Sequence, residues 1–333
     1  VSWTGGAPQR TLPAGAGPLV AVLDTGAGRH PWLGADVVTR HPEVLGTVIG
    51  LGPGPAHEHT SGTGDHMVGE LRSDSGHGTF IAGLVHQACP DAHIIDVRLF
   101  GDSGVVTESE LLRSLQLLAL RQVLAVHGLD PEVAPVDVLT MSLGYYHEQP
   151  EDPDFDALLD GPLALLGRYG VAVVVSSGND ASSRPIFPAA FAPHPGGQVA
   201  DSPDRIPVTA VGALNPDSTI ALFSNDGPWV RFLRPGACLV STMPTTYDAS
   251  MEPVNQVRNS RGEWRTSLDP DDFSSGFGVW SGTSFAAPVF AGQLARALAD
   301  GPAPADLPAR IARVRDLLET MPGRRADLTE QAP

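Results

Sequence analysis

The chain has 333 residues, 42% of them apolar, with 37 glycines and 31 prolines. That is enough for one large α/β domain with many turns between short elements. Its formal charge is −17 and all 21 basic residues are arginine, which argues against a nucleic-acid partner and removes the lysine of a P-loop or Schiff base.

Residues 1–18 are rich in Gly and Pro and read as an irregular N-terminal arm. No charged-then-apolar leader precedes them, which fits a cytoplasmic protein and equally a secreted mature form. Leu19 to Leu23 is an apolar run, read as a buried parallel strand that ends in Asp24-Thr25-Gly26. A carboxylate just past a strand's carboxyl end lies where α/β sheets place their sites. Gly26-Ala27-Gly28 also invites a dinucleotide reading. The third glycine position is Pro31, however, and Asp24 would face a pyrophosphate with like charge.

Between residues 29 and 75 the chain is loop-rich. His57, Glu58, His59, Asp65 and His66 cluster there, without the spacing of a known metal motif, so a solvated loop is expected and no metal site is assigned. Ser75-Gly76-His77-Gly78-Thr79 then opens an apolar helix. The flanking glycines let other backbone come close to His77.

Further along, His93 to Leu99 alternates as a strand. Glu108 to His127 has helical spacing, with Leu111, Leu112, Leu115, Leu118 and Leu120 mostly on one broad face. Val136 to Leu143 is an apolar strand that leads into Ser142-Leu143-Gly144-Tyr145. The acidic residues between 151 and 160 read as a solvated loop and helix start, or as an attractor of basic peptide. A helix near 155–169 precedes the strand Val171 to Val175, which ends in Ser176-Ser177-Gly178-Asn179. Val208 to Leu214 and Cys238 to Met243 are further strands, and 244–280 is a long polar stretch. A helix runs from about Ser284 to Ala299 and another from about Leu307 to Thr320. Cys89 and Cys238 form no CxxC pattern. No apolar run is long enough to cross a membrane as a helix.

Strand and helix alternate, which predicts one mostly parallel central sheet flanked by helices on both faces. Such a sheet gathers its carboxyl ends on one rim. Asp24, His77, Asn179 and Ser284 all sit at predicted element ends. A serine hydroxyl needs a base, a histidine serves near neutral pH, a carboxylate orients the ring, and an amide can hold an oxyanion. Ser284, at the start of a helix, also has backbone N–H groups beside it.

Val22-Leu23-Asp24-Thr25-Gly26, Gly76-His77-Gly78-Thr79, Ser177-Gly178-Asn179 and Gly282-Thr283-Ser284-Phe285-Ala286-Ala287-Pro288 resemble the four signature segments of the subtilisin-like serine proteases (subtilases, family S8). The order Asp, His, Ser is theirs too. The resemblance runs from about residue 19 to 299. It implies a single subtilisin-like α/β domain over 19–300, with a long insertion at about 244–280 and a C-terminal helix and tail over 301–333. It also implies a serine endopeptidase with the triad Asp24, His77 and Ser284 and an oxyanion amide at Asn179. The segment Ser142, Leu143 and Gly144 would pair with an extended peptide, and Ser176, Ser177 and Gly178 would line the pocket for the residue before the cleaved bond. No cofactor is required. Family members often bind calcium, but no motif here supports a site. The implied partner is a peptide or protein substrate, with a pro-segment or protein inhibitor outside this chain as a further one.

The sequence departs from the family pattern at Phe80, where a histidine is common, and at Phe285, where methionine is. Tyr145 stands where small residues are frequent. Ile186, if it aligns with the family's pocket segment, implies a shallow first pocket. An α/β-hydrolase elbow is excluded, because Ala286 stands where Gly-x-Ser-x-Gly needs its last glycine and His77 precedes Ser284.

Overall fold

Six consecutive buried residues, Leu19–Asp24, form the central strand. A strand covered on both faces needs apolar side chains in both directions. Val20 and Val22 enter the core shared with helices α1 (His77–Ala88) and α4 (Thr283–Ala299), whereas Leu19, Ala21 and Leu23 enter the core shared with α2 (Glu108–Val126) and α3 (Asp154–Arg168). The computed structural model describes residues 1, 3–13, 15–52, 63–65, 70–101, 105–148, 154–247, 256–266, 273–301 and 304–323.

Seven strands make one parallel sheet in the spatial order Val230–Pro235, Thr209–Leu214, Ala172–Ser176, Val138–Met141, Leu19–Asp24, His93–Arg98, Val38–Arg40. The chain begins at Leu19–Asp24 and builds to one side. It then returns to lay Val138–Met141 against the same strand and builds to the other side. The direction reverses at the first strand, so the crevice for a ligand lies at its carboxyl end. Asp24 and Met141 both terminate there, beside Arg98, which is paired in register with Asp24.

Several expectations are refined. His93–Arg98 is buried from Ile94 onward, because helices cover both faces. Leu120 is exposed, while Leu111, Leu115 and Leu118 are buried. Glu108–Val126 begins with a capping box: Thr107 accepts from Glu110 N–H and the Glu110 carboxylate accepts from Thr107 N–H. The 244–280 stretch is not simply polar loop. It holds a hairpin, Gln256–Arg258 with Trp264–Thr266, and a strand, Phe277–Trp280, that pairs antiparallel with Leu239–Thr242.

Residues 1–18 carry no helix or strand among those described. They are tied down nonetheless: Thr11 N–H, Thr11 Oγ1 and Leu12 N–H donate to the Asp91 carboxylate at 2.6, 2.7 and 2.7 Å. Helix α5 (Leu307–Thr320) buries Ile311, Val314 and Leu318 in the α1/α4 core. Cys89 is buried, Cys238 is exposed, and both are free thiols. Among the described residues, no helix is long and apolar enough to cross a membrane.

Candidate active site

The carboxyl end of the central strand carries Asp24, which is 1% exposed. Its Oδ1 accepts from Thr25 N–H at 2.8 Å and faces Nδ1 of His77 at 2.7 Å. Gly76, left-handed at φ 78°, turns the chain into α1 so that His77 is its first residue. Gly78 then lets α1 approach the Asp24 loop: a Cβ built there would lie 2.6 Å from Gly26 O. Gly78 N–H donates to Thr25 Oγ1 at 2.9 Å and locks the approach. Two motifs 53 positions apart are thus held by backbone as well as by the ion pair. Burial alone would lower the His77 pKa. The charge and hydrogen bond of Asp24, helped by Asp74, outweigh it, and the net shift is upward from 6.5.

Ser284 is the second residue of α4. Pro288, four residues on, has no N–H to give the Ser284 carbonyl. Ser142, at the end of the neighbouring strand, fills that place: its Oγ donates to Ser284 O at 2.8 Å. Thr283, fully buried, anchors the other side. Its N–H and its hydroxyl both donate to Asn179 Oδ1, at 2.8 and 2.9 Å, and its hydroxyl accepts from Gly178 N–H at 3.1 Å. With its oxygen so held, the Asn179 amide has its two N–H donors left for a ligand. Asn179 itself is exposed.

The His77 and Ser284 segments meet through rings. Phe285, next to Ser284, lies 5.2 Å from the His77 ring, and Trp280 lies 5.5 Å from it edge-on. The two departures, Phe80 and Phe285, pack on each other at 4.7 Å, and Trp280 lies 5.1 Å from Phe285. They are therefore one coupled change, an aromatic wall behind the imidazole. The Ser284 hydroxyl makes no hydrogen bond among the described residues, and the contact between the two segments runs through the Phe285 ring next to it.

Of the implied substrate segments, Ser142, Leu143 and Gly144 border a cavity of about 740 Å³ together with Phe100, Leu111 and Tyr145. Ser176 and Ser177 are buried; the Ser177 hydroxyl donates to Asn225 O at 3.2 Å and its N–H to Val211 O at 3.0 Å. Gly178 N–H is taken by Thr283. No cluster of His, Cys, Asp and Glu suited to a metal occurs among the described residues, and His57, Glu58, His59 and His66 lie outside them.

The subtilase family model matches residues 15–327, nearly the whole chain. The chain belongs to the subtilase family. Among curated subtilases it is 27% identical over 313 residues to serine protease AprX of Bacillus subtilis, covering 86% of this chain and 58% of that one. It is 25% identical over 243 residues to subtilisin Savinase of Lederbergia lenta, covering 73% and 72%. The chain spans roughly half the length of most of the first curated relatives it matches. Among solved subtilase-like folds, the maturation protease PagA superposes with TM-score 0.57 at 20% identity, over 96% of this chain and 89% of that one. A cold-adapted subtilisin-like serine proteinase does so with TM-score 0.55 at 20% identity, over 91% and 86%.

Sequence reading missed Thr283 as the residue that orients the Asn179 amide, and Asn225. The Asn225 side-chain oxygen accepts from Asp180 and Ser182 N–H at 2.9 and 3.1 Å. Both act through backbone far away in sequence, a signal no local pattern carries.

Proposed function

We propose that this subtilase is a serine endopeptidase in which Asp24, His77 and Ser284 form the triad and Asn179 assists the oxyanion hole. The observation that carries the reading is the 2.7 Å bond between His77 Nδ1 and Asp24 Oδ1 beside the Ser284 helix start. With Nδ1–H committed to the carboxylate, Nε2 is the basic nitrogen. Ser284 Oγ attacks the scissile carbonyl as His77 Nε2 takes its proton. The oxyanion accepts from Asn179 Nδ2–H and from Ser284 N–H, a helix-start donor with no partner inside the helix. The imidazolium then gives its proton to the leaving amine, and water, activated by the same ring, releases the acyl group. The serine–histidine bond closes when substrate arrives, as catalytic hydrogen bonds are often loose in free enzymes.

An extended peptide adds as a strand along Ser142, Leu143 and Gly144, and Ser176, Ser177 and Gly178 line the pocket for the residue before the cleaved bond. The chemistry needs no cofactor, and calcium would be structural only. The net charge of −17 disfavours nucleic acid as a partner.

Cleavage profiling of a peptide mixture tests the reading, with the wild type run beside Ser284→Ala. Internal bonds are cut by the wild type only. Cleavage that survives in Ser284→Ala at the wild-type rate contradicts it.

A further inference from the structure

Two cavities of about 470 and 530 Å³ share Trp229, His194 and Gly197 in their walls. The first is bordered by Thr209 and Ala210, which open the strand Thr209–Leu214, and by Arg231, the second residue of Val230–Pro235. These are amino ends of parallel strands, so the cavity lies at the rim opposite the one that carries Asp24. Ala192, Val199, Val208 and Leu318 give it apolar walls. Concave space of this size, mostly apolar with a few polar groups, is the usual form of a ligand site.

The polar groups stand at the shared residues. Trp229 is 3% exposed, and its buried indole N–H has no acceptor among the described residues. A buried Trp N–H ordinarily finds a partner. The His194 ring meets the Trp229 ring edge-on at 5.8 Å. His194 Nδ1–H donates to Ala192 O at 2.8 Å, which makes Nε2 the acceptor of that ring. Glycines seat the imidazole. Gly196 is left-handed at φ 79°, and Gly197 N–H donates back to His194 O at 3.0 Å. A Cβ built on Gly197 would lie 2.6 Å from the His194 ring. One donor and one acceptor thus stand side by side, the complement of a single backbone amide.

Charge in the first cavity cancels within it. Arg231 donates to Glu319 at 2.8 and 3.1 Å, and Arg315 to Asp201 at 2.7 and 2.9 Å. These four are the charged residues of its lining, so the cavity suits an uncharged ligand.

We propose that Trp229 and His194 form a second peptide-binding site, remote from the catalytic rim, that takes an uncharged apolar peptide segment. The segment's carbonyl accepts from Trp229 Nε1–H, its N–H donates to His194 Nε2, and its side chains fill the two cavities. The site works by binding alone and uses no group of the triad.

The test uses the full chain with Ser284→Ala, which binds peptide bonds without cutting them. The probe is N-isobutylisovaleramide, one amide between two apolar groups, beside isobutyl isovalerate, the ester that lacks the N–H. Proton–nitrogen NMR follows the indole N–H signals of the five tryptophans. The Trp229 signal is the one lost in Trp229→Phe or, if that variant does not fold, the one that shifts in His194→Phe. The amide moves this signal downfield and saturably at millimolar concentration. The ester binds about 3–10-fold more weakly, the worth of one hydrogen bond. That preference disappears in His194→Phe and persists in His194→Gln, which keeps an acceptor. A Trp229 signal that the amide leaves in place overturns the proposal, as does a response confined to Trp280 beside His77. So does an ester that binds as well as the amide, or an amide preference that survives in His194→Phe. A wild type that takes no fluorophosphonate on Ser284 would end the endopeptidase reading and leave this site standing, because cleavage is not the readout.

Discussion

His77 Nδ1 and Asp24 Oδ1 stand 2.7 Å apart, with the carboxylate buried and the imidazole side chain 17% exposed. Burial pulls the His77 pKa down; the Asp24 charge and bond pull it up further, so the net is above 6.5. Two consequences follow from that sign. A base must be neutral, so kcat/KM rises with pH through one ionisation above 6.5. The pair's stabilisation is full below the unfolded-state value and is lost as pH rises through the folded one. An NMR titration of the His77 ring should give a midpoint above 6.5 that falls in Asp24→Asn. A midpoint unmoved by that change would show that the carboxylate does not set the charge on the ring.

Pro288 leaves the Ser284 carbonyl without its helical donor, and Ser142 supplies one. Ser142→Ala should lower kcat more than it raises KM, and cost about 1–3 kcal/mol of stability for the orphaned carbonyl. Pro288→Ala restores a helical N–H and should recover part of both losses in the double variant. Strict additivity of the two changes in urea melts and kinetics would refute this coupling.

Thr283 orients Asn179 through two donors and satisfies Gly178 N–H. Thr283→Val removes the hydroxyl from both. A fall in kcat with KM nearly constant is expected, smaller than the roughly 10²–10³-fold that loss of the corresponding amide costs in subtilisin. Thr283→Ser, which keeps the hydroxyl, should restore the rate. Equal rates in Val and Ser variants would contradict the positioning role.

Asp96, 4% exposed on the His93–Arg98 strand, has one oxygen on Ala27 N–H at 2.8 Å and the other without a hydrogen-bond partner. Burial pushes its pKa up to about 6, with nearby Asp24 adding to the rise and Ala27 N–H, Arg40 and His41 opposing it. An unfolded aspartate titrates near about 4, so the folded state holds the extra proton between about 4 and 6. Its contribution is full below that window and is lost as pH rises through it. Asp96→Asn mimics the protonated form. It should be more stable than wild type at about pH 8 by on the order of 2–3 kcal/mol, with the gap closing near about pH 4. Chemical denaturation at both pH values checks this; a variant less stable under the alkaline condition would contradict it.

Elements whose boundaries are set by local chemistry were legible in the sequence. Helix Leu307–Thr320 starts where the Asp306 side chain accepts from Ala309 N–H and a proline follows at the second position. Strands buried on both faces announce themselves as apolar runs. Val230–Pro235 did not, because Arg231 and Arg234 interrupt it. Arg234 is nonetheless buried, its guanidinium bonded to Gln293 Oε1, Leu233 O and Pro322 O. Val38–Arg40 is a three-residue edge, too short for periodicity. The four signature residues could be named from sequence, but not what holds them. The Ser142 hydroxyl on Ser284 O, Thr283 on Asn179, and Ile186 between two glycines are contacts between residues distant in sequence, and they exist only once the sheet has formed.

The central claim is that His77 makes the Ser284 hydroxyl a nucleophile. Reaction with a fluorophosphonate, followed by peptide mass spectrometry, reads it directly. The account predicts one adduct, on Ser284, formed rapidly in the wild type and lost or drastically slowed in Ser284→Ala and in His77→Ala. The scale is set by subtilisin, where removing either group costs roughly a million-fold in kcat. An adduct on another residue, or labelling of Ser284 that proceeds unchanged without His77, would contradict it.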